Sequence, residues 1–284
     1  ERVKKYMEAG LNVEVYSVSR KLFSPKMNGA SYDYEGVHVE QGNVAEMKRK
    51  ISGSRYDKIL IHFGFKRVVS AVLKSAPGTP LIIWFHGVDI IAWYRRLYNL
   101  RLKNAVKFAG YAVLNTLQRL YLHRILKKHR EIIHCIFVSK WLKSTAEKDI
   151  HLKDGIQHFS IIPNFINSDV FPFRQKKEED RLKILSIRSF RSRNYGNDLT
   201  VKAIGELSKK PFFNELSFTI CGDGRLWKNT VKHLRKYSNV TLYRRFFSHE
   251  EIAMLHGRHG VILMPSRQDT QGISTCEGMS SGLV

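Results

Sequence analysis

The firmest constraint on the fold of this 284-residue chain is a repeated pairing of short apolar runs with stretches of helical periodicity. Pro80-Leu-Ile-Ile-Trp-Phe-His86 and Ile132-Ile-His-Cys-Ile-Phe-Val138 are too short for core helices and too continuously apolar for strands with one wet face. Such runs read as strands covered on both sides, with helices supplying the cover. Further strands are read at 12–18, 57–62, 159–163, 184–187, 216–221, 240–243 and 261–264. Helices are read at 1–10, through 68–74, after Ser139 as a cap, and at 197–209, 225–237 and 248–258. The last opens with the capping box Ser248-x-x-Glu251. Strands alternating with helices imply an α/β fold built on parallel sheets.

The rhythm breaks between Asn164 and Lys183, where Phe171-Pro-Phe and the charged run Arg174–Arg181 read as a connector. The expected organisation is an N-terminal domain over 1–165, a linker over 166–182 and a C-terminal domain over 183–284, with a ligand in the cleft between them. The first helix has no strand before it, and Gly-Leu-Val284 stops where another strand is expected. Both ends therefore read as incomplete, and the chain as a fragment of a longer one.

Forty-eight basic against 25 acidic side chains give a formal charge of +23, which calls for an anionic partner: nucleic acid, an acidic membrane surface or a phosphate-bearing substrate. Cys135, Cys221 and Cys276 are widely spaced, with no CxxC pair. Neither a disulfide framework nor a zinc site is supported, and a reducing cytosol fits best. No apolar run is long enough to span a membrane.

The richest segment is Pro265-Ser-Arg-Gln-Asp-Thr-Gln-Gly-Ile-Ser-Thr-Cys-Glu-Gly-Met-Ser-Ser-Gly282. It follows the strand read at 261–264 and sets Asp269 and Glu277 eight positions apart around Gly272. Ser274-Thr-Cys-Glu277 reads as the capped start of a helix. One carboxylate then lies on the loop at a strand's C-terminal end and the other in the first helical turn. In open α/β sheets that is where ligands bind: helix amides meet a phosphate, and carboxylates accept from sugar hydroxyls.

With His86-Gly-Val-Asp89, Pro163-Asn-Phe-Ile-Asn167 and Cys221-Gly-Asp-Gly224, this segment resembles the retaining glycosyltransferases of family 4, group 1 enzymes of the bacterial surface-polysaccharide type. The resemblance covers most of the chain and is most specific over 182–284. It implies the GT-B fold, two Rossmann-like domains facing across a cleft, and hexosyl transfer from a nucleoside-diphosphate sugar. The family's E-x7-E motif falls on Asp269 and Glu277. The second acid would hold the ribose, the first would approach the donor sugar, and the backbone of Thr270, Gln271, Gly272 and Ile273 would meet sugar and diphosphate. Asp at the first position is one methylene shorter than the family's Glu, so the sugar contact is altered or runs through water. Arg188 matches the family arginine on the diphosphate. The family lysine falls within Ser192–Gly196, where no Lys stands; Arg193 is the expected substitute, with Asn194 the other residue at the aligned place. His86 matches a histidine near the reacting sugar carbon. Gly222 and Gly224 are turn glycines whose ligand contacts would be through backbone. The implied reaction needs no metal and no resident cofactor. Attack comes from the face the diphosphate leaves, and catalysis rests on positioning and on charge stabilisation.

Arg95 to Arg130 carries ten Lys or Arg and no acid, interleaved with Tyr94, Tyr98, Phe108, Tyr111, Leu114, Leu117 and Tyr121. It reads either as a core helix with a solvated basic face or, through 94–130, as an element lying on an anionic membrane. The second suits a glycan or lipid-linked acceptor and a cytoplasmic enzyme peripheral to the inner face of the membrane. Two other functions stay open. A nucleotide-sugar epimerase would use the same architecture. A basic nucleic-acid-binding protein would fit the charge, although no zinc-finger, RNA-recognition or basic-zipper pattern is present and no specific nucleic acid is expected.

Overall fold

A computed structural model describes residues 2–19 and 30–284; Glu1, read as the start of the first helix, lies outside them. The chain forms two compact units that alternate along the sequence. One comprises Glu1–Ile90, Leu117–Phe137 and Ala146–Ser160, the other Ile91–Thr116, Val138–Thr145 and Ile161–Val284.

The first unit opens with helix α1 (Arg2–Glu8) and strand β1 (Val15–Val18). Strands β2 (Ala30–Tyr34) and β3 (Val37–Gly42) follow, then α2 (Val44–Ser52). β1 pairs parallel with β3, and β2 pairs antiparallel with it. The hairpin turns on Glu35 and Gly36, at φ 50° and 79°, the two left-handed residues that a tight two-residue connection needs. Not every strand is therefore parallel. Then come β4 (Ile59–His62), α3 (Lys66–Ser75), β5 (Leu81–Phe85), the 24-residue α4 (Ala105–Lys128), β6 (Ile133–Phe137), α5 (Lys140–Ile150) and β7 (Phe159–Ile161). The second sheet has the order β4-β5-β6-β7, with β4, β5 and β6 parallel. Leu81, Ile83 and Phe85 on one face of β5 and Trp84 on the other, like Cys135 and Phe137 on one face of β6 and Ile136 on the other, are nearly inaccessible to water, as doubly covered strands must be.

The C-terminal elements are β8 (Lys183–Ile187), α6 (Asn197–Leu207), β9 (Ser217–Cys221), α7 (Trp227–Val231), β10 (Val240–Tyr243), α8 (His249–Arg258), β11 (Val261–Ile262) and α9 (Ile273–Ser280). The sheet order is β10-β9-β8-β11, all parallel. Alternation along β8 sorts its side chains into two cores. Ile184 packs with Phe218, Ile220, Ile204 of α6 and Trp227 of α7. Leu185 packs with Cys221, Phe247 and Leu283, backed by Ile252 and Leu255 of α8. Each fully buried side chain of this size contributes roughly 1.5–3 kcal/mol.

Three sequence expectations need correction. The helix read at 225–237 is α for five residues and then tightens to a 3-10 helix over Lys232–Lys236. The strand read at 261–264 pairs only at Val261 and Ile262, with one more ladder bond from Leu263 N to Leu185 O, before Pro265 ends it. The capping box read at Ser274 and Glu277 does not form. α9 starts two residues early, with Gly272 rather than Ser274 at its cap, and glycine has no side chain to offer. Ser274 therefore sits inside the first turn. By contrast the box at Ser248 and Glu251 forms as read, and Ser139 Oγ accepts from Leu142 N at 3.1 Å.

Candidate active site

Arg188 follows β8 directly, and the backbone after it is laced to the turn after β9. Arg188 N donates to Cys221 O (3.0 Å), Phe190 N to Asp223 O (2.9 Å) and Leu226 N to Phe190 O (3.0 Å). Glycine is required at both ends of Gly222-Asp-Gly224. The two glycines stand at φ 142° and 148°, and a Cβ would strike the Arg188 carbonyl at the first and the Phe190–Arg191 peptide at the second.

The Arg188 side chain is only 7% exposed. One terminal nitrogen donates to Ser266 Oγ and reaches Met264 O at 3.4 Å, while its buried Nε has no hydrogen-bond partner among the described residues. Burial lowers its pKa, opposed by nearby Asp269 and Tyr195. A guanidinium stays charged through such a shift, so the site holds a cation with unused donor capacity.

The loop 265–272 is tied down at several points. Arg267 N donates to Asn194 O (2.9 Å), and its guanidinium forks onto Asp198 with two contacts of 2.7 Å. Ser139 Oγ donates to Thr270 O (2.7 Å). The Gln271 side chain brackets the Asn164 peptide, accepting from its N (2.5 Å) and donating to its O (3.1 Å). Tyr98 OH donates to Asn194 Oδ1 (2.6 Å) and Arg96 Nε to Gln268 Oε1 (3.2 Å).

Asp269 is exposed, with Oδ1 accepting a long bond from Gln271 N (3.3 Å). α9 begins at Ile273, whose N donates to Gln271 O (2.9 Å), and among the described residues no side chain caps its first turn. Glu277 is half-buried on that helix. Burial raises its pKa, His249 opposes the rise, and no hydrogen bond to its carboxylate is found among the described residues. Gly278 lets α9 approach the sheet, since a Cβ there would lie 2.6 Å from Ile262 Cδ1.

In the other unit His86 stands just past β5. The fully buried Asp89 carboxylate accepts from His86 N (3.2 Å), Gly87 N (2.9 Å) and Gly64 N (2.7 Å), fixing the turn. Burial pushes the Asp89 pKa up to about 6 against those bonds. Burial, then the nearby rings and guanidinium of His62 and Arg2, push that of His86 down to about 4. The imidazole is neutral at pH 7.

Residues 181–284 match the family model described as glycosyl transferases group 1. The C-terminal segment is a group 1 glycosyltransferase domain. Solved structures share the fold of the whole chain. A sucrose-phosphate synthase from Thermosynechococcus elongatus is 13% identical at TM-score 0.67, over 98% of this chain and 71% of that one. An α,α-trehalose-phosphate synthase (UDP-forming) from Burkholderia xenovorans, in complex with glucose-6-phosphate, is 9% identical at TM-score 0.66, over 99% and 79%. A trehalose-6-phosphate structure from E. coli bound with UDP-2-fluoro glucose is 9% identical at TM-score 0.59, over 93% and 73%. No curated protein matches the sequence. The whole chain thus has the GT-B fold that these solved structures share.

Of the residues singled out in the sequence, Arg188, Arg193, Gly222, Gly224, Asp269, Thr270, Gln271, Gly272, Ile273 and Glu277 fall in one unit and His86 in the other. Arg193 is not an open cation: its guanidinium donates to Asp198 at 3.1 Å. Gln271 is spent on Asn164, and the two turn glycines serve backbone packing. Sequence reasoning missed Asp198, Arg267, Ser266 and Tyr98. Each acts on the site through partners scores of residues away, and no local spacing announces them.

Proposed function

We propose that the chain is a retaining glycosyltransferase that moves a hexosyl group from a nucleoside-diphosphate sugar to a glycan or lipid-linked acceptor. It would work in polysaccharide or glycolipid synthesis at the cytoplasmic face of an anionic membrane. The observation that carries the donor reading is the buried Arg188, whose Nε has no hydrogen-bond partner among the described residues, in the same unit as the start of α9 without a side-chain cap and the half-buried Glu277. A cation and a helix start without a side-chain cap suit a diphosphate, and a half-buried carboxylate suits a ribose diol. Asp269 would meet the donor sugar, and Arg188 would take up charge on the departing diphosphate. A neutral His86 can donate to or accept from a sugar hydroxyl without adding charge beside the reacting carbon.

The membrane reading draws on α4 and the turn before it. Leu102, Val106, Val113, Leu114, Leu117 and Leu120 are exposed, by 51% to 100%. Val106, Val113, Leu117 and Leu120 recur at helical spacing on one face. Lys103, Lys107, Arg124, Lys127 and Lys128 are exposed on the same stretch, and each basic side chain near an anionic surface adds about 1 kcal/mol. Phe108, Tyr111 and Tyr121 are half-buried instead, so the exposed apolar surface is aliphatic. Among the described residues no helix is long and apolar enough to cross a membrane.

The test is a calorimetric screen of nucleoside-diphosphate sugars on the purified chain and on Glu277→Ala. The best donor is then carried into transfer assays with lipid-linked, glycan and hexose-phosphate acceptors, and the product anomer is read by NMR. Loss of donor binding in a folded Glu277→Ala, with the donor's anomeric configuration kept in the product, is the expected result. An inverted product, or donor binding that Glu277→Ala leaves intact, refutes the mechanism or the site respectively.

A further inference from the structure

His62 closes β4, and its register partner on the parallel strand β5 is Trp84, two residues before His86. His62 Nδ1 lies 3.2 Å from His86 Nε2. Two ring nitrogens at that distance bond only if one carries a proton and the other does not, so each ring dictates the tautomer of the other. The orientation of His62 is itself fixed. Its ring stacks on Trp84 at 5.4 Å and 20°, and Trp84 is 2% exposed with the Arg2 guanidinium 3.6 Å above it. Phe63 closes on the His86 ring at 4.4 Å, held at φ 66°, a backbone region that a bulky residue seldom occupies. Asp89 fixes the backbone of His86, and these rings fix its side chain. Local strain at a bulky residue is kept where something nearby uses the geometry it enforces.

We propose that His62 is a positioning residue for glycosyl transfer, holding the imidazole of His86 in one orientation and one tautomer for its contact with the donor sugar. The inference rests on the reading of His86 as a sugar-contacting residue. Protonation of both rings would set N–H against N–H, so the pair works only with a single proton between the facing nitrogens. The depressed pKa of each ring, caused first by burial, keeps the pair in that state at neutral pH.

Three variants separate the outcomes. His62→Phe keeps a ring on Trp84 and loses the nitrogen; His62→Asn keeps a hydrogen-bonding group near Nδ1 and loses the ring; His86→Ala tests the underlying reading. In 15N-histidine-labelled protein without ligand, His86 is expected to show one tautomer in the parent and in His62→Asn, and a mixture in His62→Phe. In transfer assays with the donor chosen by the calorimetric screen, His62→Phe is expected to lower kcat by on the order of 10- to 100-fold, the penalty of a misplaced group. Donor KM should stay within about threefold, and His62→Asn should recover most of kcat. An unchanged His86 tautomer in His62→Phe, or equal losses in Phe and Asn variants, overturns the inference while leaving the role of His86 standing. A His86→Ala variant within about twofold of the parent kcat overturns the role of His86 and the inference with it.

Discussion

Asp198 offers the sharpest test of how the donor loop is held. Its carboxylate takes two contacts of 2.7 Å from Arg267 and one of 3.1 Å from Arg193, and its side chain is 33% exposed. Burial alone would raise its pKa, but the Arg267 and Arg193 hydrogen bonds override that and bring it from 3.8 down to about 2. At about 1.4 kcal/mol per tenfold in proton affinity, the ionised form gains roughly 2 kcal/mol on folding. Solvent screening of a group one-third exposed reduces this to about 1–2 kcal/mol. Asp198→Asn keeps the shape and removes the charge. Because the folded pKa is lowered, the stabilisation is full above the unfolded value of 3.8 and fades as pH falls toward 2. Urea unfolding at pH 7 should therefore place the variant about 1–2 kcal/mol below the parent, with a gap that shrinks by pH 3. Calorimetry with the chosen donor should show weaker binding as well, since Arg267 ties the loop carrying Asp269 to Asn194. A pH-independent gap, or one below about 0.3 kcal/mol with donor affinity unchanged, would refute the account.

Other consequences follow from the same geometry. Gly222→Ala forces a Cβ into the Arg188 carbonyl at a positive φ, and should cost about 3 kcal/mol or more in urea unfolding. His256 is inaccessible to water, with Nδ1 3.1 Å from Ser281 Oγ and no partner at Nε2 among the described residues, and burial pushes its pKa down to about 4. Unfolding therefore takes up a proton below pH 6.5, so stability falls as pH drops from there toward 4; the gap between parent and His256→Gln should change by about 3 kcal/mol over that window. On α4, the double change Leu117→Glu and Leu120→Glu should abolish cosedimentation with anionic vesicles while leaving calorimetric donor affinity unchanged. Retained sedimentation of that variant would count against the membrane face.

The doubly covered strands were readable because Leu81–Phe85 and, His134 apart, Ile133–Phe137 are apolar on both faces. Residues 30–52 went unread for the opposite reason. In the β2–β3 hairpin, β2 is mostly exposed, and β3, though largely covered, sets Val37 and Val39 among His38, Glu40 and Gln41, so the hairpin's alternation carries little hydrophobic contrast. Its turn pair Glu35-Gly36 and the capping box Asn43-x-x-Glu46 of α2 were the signals available. The turn glycines were legible because backbone chemistry constrains them: only glycine fits at 222 and 224. What Arg193 does was not legible, because its partner Asp198 becomes an anchor only through Arg267, far along the chain. The misplaced cap at Ser274 has a local cause, since Gly272 and Ser274 are both acceptable helix starts by composition and the fold chose the earlier one.

The ties on the donor loop also bear on where this gene could be cut. Every family motif from Arg188 to Glu277 lies within the last hundred or so residues, so a truncation starting near 181 would look self-sufficient. Yet Thr270 is held by Ser139, Gln271 by Asn164, Asn194 by Tyr98 and Gln268 by Arg96. Such a truncation would keep the sheet and the chemistry but lose the guy-ropes that shape the loop. The C-terminal module is not portable. A recombinant swap that transplants it between relatives must carry the segments 91–116, 138–145 and 161–180 along, or evolve new moorings.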